Sequence, residues 1–323
     1  MNNVKEYDYA IVYLRTFAIT AIVCHHSIIS LSGWPPVDLG EIEVPFWLSQ
    51  LSEYSKKFGL VAFTFISGFL SVKDHSKTSY FRFLCKKAKR VLVPCAFFAI
   101  LYIFLFPNRM YNNDPVNGTH LWYLPMIFGL YMLSPLVNRD ISAKVCFSYL
   151  ALFLCLIILY KITNFRTFGE CFHYLGVFLC GAYFHKATRS DAVNRLRTDI
   201  GRPVLIICMV LLLLTDTFLA STIAMVILII ITYITLLSII RITPPTTLKI
   251  IVGSSNIIKP VLLTISDSSF IIYLFHQFVI NCIIEAYLKY HFFYYLIPIL
   301  AFLLSIILSI IVNSVWQKIK CLT

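Results

Sequence analysis

Residues 9–31, YAIVYLRTFAITAIVCHHSIISL, form an unbroken apolar run of 23 residues. As a helix this is long enough to cross a bilayer core of roughly 30 Å. In lipid a backbone must satisfy its own hydrogen bonds, so the run is predicted to be a membrane-spanning α-helix. Yet it holds Arg15 and the pair His25–His26. An ionisable side chain inside a membrane segment is costly, and by default it marks a functional site. At 100° per residue, eleven steps leave Arg15 and His26 only about 20° apart around the helix, whereas His25 is turned away by about 80°. Arg15 and His26 therefore share one face, roughly 16 Å apart along the axis.

Similar apolar runs recur along the chain. Of its 323 residues 59% are hydrophobic and 13% charged, with a mean hydropathy of +0.82. A soluble domain of this size would be nearer 45–50% apolar and about 25% charged. The chain is therefore expected to be all-α and polytopic, one transmembrane domain over 1–323 with no fused soluble domain. The first segment lacks a small-residue cleavage site and is expected to be retained rather than removed. Ten cysteines sit mostly within apolar runs without a CxxC pair; they read as small buried hydrophobes, with no disulfide framework and no metal site.

Further runs fall at about 58–72, 91–106, 120–137, 145–160, 171–185, 262–284 and 293–315. The stretch 203–240 would be nearly 60 Å as one helix and must fold back, with the turn placed near Ala220–Thr222. The acidic, turn-rich segment 32–55 reads as a loop, and KDHSKTSYFRFLCKKAKR (73–90) as a basic one. Ten spans with both termini cytoplasmic put 20 Lys/Arg inside and six outside, with Arg15 within the membrane. That asymmetry is what the positive-inside rule requires. It also explains the net charge of +12 without nucleic acid as a partner. Arg15 then lies in the cytoplasmic half of its span and His26 in the outer half.

An Arg followed after ten residues by His in the first span, Arg15 and His26, resembles the signature of the membrane acyltransferase 3 family. FTFISGFL (63–70) is similar to that family's Phe-Phe-x-x-Ser-Gly-Phe segment. FLCKKAKRVLVP (83–94) resembles its basic element before a proline, here Lys87-Ala88-Lys89-Arg90 in place of Arg-x-x-Arg. HLWYLPMIFGLYMLSPLV (120–137), HYLGVFLCGAYF (173–184) and SDSSFIIYLFH (266–276) resemble its His-Leu-Trp-Tyr/Phe-Leu, glycine-bearing sixth-helix and Ser…Tyr-Leu-x-His segments.

The resemblance implies an integral enzyme of the bacterial cytoplasmic (inner) membrane. It would move an acetyl group from cytoplasmic acetyl-CoA to a hydroxyl of a surface glycan or lipid-linked oligosaccharide, such as O-antigen or capsule. Acetyl-CoA would be a co-substrate, with no permanently bound cofactor. His26 is the expected general base or transient acyl carrier, since imidazole titrates near neutrality. Arg15 is expected to meet the CoA phosphates or pantetheine, or to pair with an acid such as Asp267. Lys87 and Arg90 are candidates for the CoA phosphates, and lysine there lacks arginine's bidentate fork. Ser67 and Gly68 are candidates for a close donor contact or for helix packing.

His120 and Trp122 are candidates to hold the sugar, and Tyr273 and His276 share a site role. Glu170, beside His173, is a weaker candidate to orient an imidazole, while His25 is expected to be structural. Two other readings fit parts of the pattern: a glycan-precursor transporter or flippase, and a non-catalytic sensing membrane domain. Neither accounts for the depth difference between Arg15 and His26 as directly.

Overall fold

The computed structural model describes residues 9–32, 44–75, 79–110, 114–134, 166–187, 229–230, 258–291 and 293–322. Among these residues the protein is helical, with no strand. Seven α-helices are described: α1 (Tyr9–Ile29), α2 (Phe46–His75), α3 (Tyr80–Leu105), α4 (Tyr123–Met132), α5 (Arg166–Ala187), α6 (Ile258–Tyr290) and α7 (Leu296–Leu322). Five are long and apolar enough to cross a membrane, over Tyr9–Ile29, Phe46–Val72, Tyr80–Leu105, Pro260–Tyr290 and Leu296–Val315. The expected spans at 145–160 and the fold-back near Ala220–Thr222 lie outside the described residues.

Two helices are longer than the sequence suggests. α2 begins at Phe46, so 46–55, expected as loop, is helical. Its start follows Pro45, whose carbonyl accepts from the amides of Leu48 and Ser49, and Glu53 pairs with Lys57 one turn on (3.7 Å). α3 begins at Tyr80 and takes up the basic segment Arg82–Arg90, which is therefore helix rather than loop. Lys, Arg and Leu are good helix formers, and a helix need not stop where the apolar run does. Pro94 is carried inside α3, which transmembrane helices tolerate.

α1 is the centre of the bundle and packs against α2, α6 and α7. It is antiparallel to α2, where His25 stands opposite Ser52 and Ala18 and Ile22 stand opposite Gly59. It runs parallel to α6, where Thr16 donates across to the Leu262 carbonyl (3.1 Å) and His26 faces His276. α2 packs in turn against α5, and α3 against α4. The α2–α5 crossing is backbone on backbone. A Cβ on Gly68 would overlap the Phe178 carbonyl, and one on Gly181 would overlap the Phe65 carbonyl. Such mutual close approach is how helices associate in lipid, where apolar burial supplies no net drive. Away from α1, one face of α3 (Val93, Phe97, Ile100, Phe104) and one of α7 (Leu303, Ile307, Ile311) are exposed and apolar.

Arg109, in the turn Pro107–Arg109 after α3, is buried and donates to Glu285 of α6 through Nη2 (2.7 Å) and Nε (3.2 Å). This ties the connection leading to the next segment onto α6. Asp114 then shapes that segment, accepting from the amides of Val116 and Asn117 (both 2.8 Å) and from Asn117 Nδ2 (2.8 Å). Burial pushes the Asp114 carboxyl up. The hydrogen bonds from Asn117 and from the amides of Asn117 and Val116 outweigh it and hold the group below its ordinary value.

Candidate active site

Arg15 and His26 are both half-buried, whereas most residues of α1 are buried. The face that helical arithmetic assigns to them has a different environment at each end.

At the His26 end, three imidazoles from three elements converge. The His26 ring lies 4.9 Å from that of His276 on α6 and 6.3 Å from that of His120. His120 and His276 are 4.7 Å apart, centroid to centroid. His120 opens a one-turn 3-10 helix, His120–Trp122, started by Thr119, whose hydroxyl accepts from the Leu121 amide (3.2 Å). Tyr273 holds that turn in place by donating its hydroxyl to the His120 carbonyl. The sequence-predicted residues His26, His120, Trp122 and Tyr273 all line one cavity of about 200 Å³, shared with His25, Lys56, Asn117 and Tyr123. His276 is fully buried behind it.

The backbone fixes the tautomer of His276. Its Nδ1 lies 2.7 Å from the Tyr273 carbonyl and 3.2 Å from the Ile272 carbonyl. Carbonyls only accept, so Nδ1 must carry the proton and Nε2 must present a lone pair. Nε2 is buried with no hydrogen-bond partner among the described residues, and the His120 ring is buried against the backbone of Tyr273 and Leu274. Buried polar atoms are normally paired. Buried imidazole nitrogens thus collect beside His26.

His25 is turned off this face. Its Nδ1 lies 3.0 Å from the Ser52 carbonyl and 2.8 Å from Ser52 Oγ. It clamps α1 to α2, as expected for a structural histidine, while its ring edge still reaches the cavity wall. No group of three His, Cys, Asp or Glu side chains among the described residues is arranged to hold a metal ion.

At the Arg15 end the predicted donor residues separate. Arg15 is within electrostatic reach of Arg90, Asp267 and Tyr131, so the acid expected near it, Asp267, is close by. Lys87 is buried with its Nζ 4.5 Å from the Tyr131 ring centroid and 5.3 Å from that of Phe83, a cation–π arrangement. Arg90 is exposed. Arg15 and Lys87 thus both meet Tyr131, a residue the sequence does not single out. Gly68 does not join them. Its open side is filled by the α5 backbone, which leaves no room for a donor arm, and its role is packing.

Ser67 and Thr64 instead meet the Tyr123 hydroxyl. Because α2 is antiparallel to α1, these two lie toward the Arg15 end, while the Tyr123 ring lines the cavity at the His26 end. Tyr123 therefore spans part of the interval between the two ends. Glu170 and His173 lie on α5, but their side chains are outside the described residues.

Lys56, Asn117, Tyr102 and Tyr123 are among the site residues the sequence left unmarked. Tyr102 packs its ring 5.9 Å from that of His120. The one available signal for Lys56 is its helical spacing: Ser52, Lys56 and Gly59 share a face once α2 is started at Phe46.

No curated protein and no solved structure shows significant similarity to the chain. The family model of the acyltransferase 3 domain matches residues 8–315, nearly the whole length. The helices that bear the site fall within that match, and the chain belongs to the acyltransferase 3 family.

Proposed function

We propose that this membrane acyltransferase moves an acetyl group from cytoplasmic acetyl-CoA to a hydroxyl of an extracytoplasmic glycan or lipid-linked oligosaccharide, in the bacterial inner membrane. The observation that carries the reading is the two-ended face of α1. Arg15 with Arg90 and Lys87 offers cations at one end, and His26 with His120, His276 and Trp122 lines a cavity at the other.

Arg15 and Arg90 repel one another, and a bound phosphate group relieves that repulsion while gaining charge-assisted hydrogen bonds. A donor anchored there extends its thin pantetheine arm past Thr64 and Ser67 toward His26. The roughly 16 Å between Arg15 and His26 suits an extended arm rather than the nucleotide itself. Neither the charged nucleotide nor the sugar then has to cross the membrane.

His26 takes the proton of the acceptor hydroxyl as its oxygen attacks the thioester carbonyl. The C–S bond breaks, the ester C–O bond forms, and the imidazolium returns its proton to the CoA thiolate. His276, held as the Nδ1–H tautomer, presents only an acceptor nitrogen to the cluster, so it favours a protonated neighbour and steadies the imidazolium. Trp122 provides an aromatic face for a sugar ring.

The test compares surface polysaccharide by mass spectrometry and proton NMR from cells with the wild-type gene, a deletion and His26→Ala. Acetyl esters present only with the wild type are expected. Acetylation that survives His26→Ala removes that residue from the chemistry. A deletion that leaves esters intact but keeps glycan from the surface favours a transporter.

A further inference from the structure

The cavity beside His26 has a charge character that the transfer reaction does not require. Among the described residues no Asp or Glu lines it, while Lys56 does, beside His25, His26 and Trp122. Lys56 is half-buried. Its direction follows from its neighbours on α2. Ser52, one turn before, is pinned to His25, and Gly59 rests against Ala18 and Ile22. Positions four apart on a helix share a face, so Lys56 is aimed at α1 and the cavity rather than at lipid. Glu53, the acid nearest in sequence, pairs with Lys57 on the neighbouring face (3.7 Å). Among the described residues no carboxylate forms an ion pair with Lys56.

We propose that this cavity is selective for an anionic sugar, with Lys56 reading a carboxylate or phosphate on the unit that presents the hydroxyl. The inference rests on the acceptor side of the transfer reading given above. An ammonium aimed into a concavity is desolvated in part and recovers that loss only from an anion or several carbonyl oxygens. A sugar seated with one face on Trp122 and its anion on Lys56 is held at two points, which fixes which hydroxyl meets His26. A neutral sugar lacks the second point. The selectivity therefore belongs to binding, and it is measurable without the donor.

The experiment uses the full chain in lipid nanodiscs with no acetyl-CoA present, and measures binding by ligand-observed saturation-transfer NMR. The probes are methyl β-glucuronide for a carboxylate, glucose 1-phosphate for a phosphate, and methyl β-glucoside as the neutral counterpart. At least one anionic probe is expected to bind about tenfold more tightly than the glucoside, the size of one charged hydrogen bond. Which of the two does so tells an acidic sugar from a phosphorylated one. Lys56→Gln is expected to remove the preference, Lys56→Arg to keep it, and Lys57→Gln to leave it unchanged. Equal binding of the neutral and both anionic probes overturns the proposal, as does a preference that survives Lys56→Gln or falls equally in Lys57→Gln. Anion preference in a protein that transfers no acetyl group sinks the transferase reading and leaves this one standing.

Discussion

His276 shows how much one side chain's surroundings decide. Two backbone carbonyls of its own helix dictate that Nδ1 holds the proton, which leaves Nε2 as an acceptor in a cluster that includes His26. Phenylalanine keeps an aromatic ring of slightly larger size at the position, but has no nitrogen. His276→Phe is expected to unfold within a few degrees of the wild type in detergent, while acyl transfer falls by about tenfold or more and the acceptor KM changes little. Equal transfer by the variant and the wild type would show that the imidazole only packs.

Asp114 makes the residue-scale case for pH. Its folded carboxyl is held below its ordinary value of 3.8, so the stabilisation is present above that value and is lost as pH falls through the lower folded value. Amide protection at Val116 and Asn117, corrected for intrinsic exchange, is expected to drop in acid below about pH 4. It should be lost at neutral pH in Asp114→Ala. The turn it shapes carries Asn117 and Thr119 to the cavity wall.

At the scale of elements, helix periodicity is local, and what depends on it was legible. The common face of Arg15 and His26 follows from 100° per residue alone, and the structure leaves both half-buried while most of α1 is buried. The convergence of His120 and His276 on His26 was not legible, because it depends on where α6 and the 120–122 turn dock, and no local spacing encodes that. Helix limits were also hidden. The acids in 32–55 suggested a loop, yet Phe46, Trp47 and Leu51 begin α2 with exposed apolar side chains, and Lys56 moves from a loop to a cavity wall as a result. Ser67-Gly68 offered packing and ligand contact together, and the α2–α5 crossing divides them: Gly68 packs and Ser67 meets Tyr123. Gly68→Val would force backbone apart at that crossing and is expected to cost about 3 kcal/mol or more. A thermal unfolding midpoint close to the wild type would show that the crossing relaxes cheaply.

For the whole molecule, the basic residues supply the orientation. α3 carries Arg82, Lys86, Lys87, Lys89 and Arg90 at one end, the end at which Arg15 lies, and on the proposed reading the positive-inside rule predicts that this end faces the cytoplasm. Cys85 is exposed on the same stretch. A variant retaining only that cysteine is expected to react with a membrane-impermeant maleimide in inverted vesicles and not in intact spheroplasts. The reverse pattern would invert the whole account, placing the histidine cavity inside. The orientation matters because it assigns each end of α1 its substrate.

The most direct measurement is acetyl transfer by the purified full chain in liposomes, from radiolabelled acetyl-CoA to a glycan acceptor. His26→Ala and Arg15→Ala are assayed beside the wild type. The expected result is transfer by the wild type, a loss of at least about a hundredfold in His26→Ala, and a raised KM for acetyl-CoA in Arg15→Ala. Undiminished transfer in His26→Ala would contradict the account at its centre, whatever the other variants did.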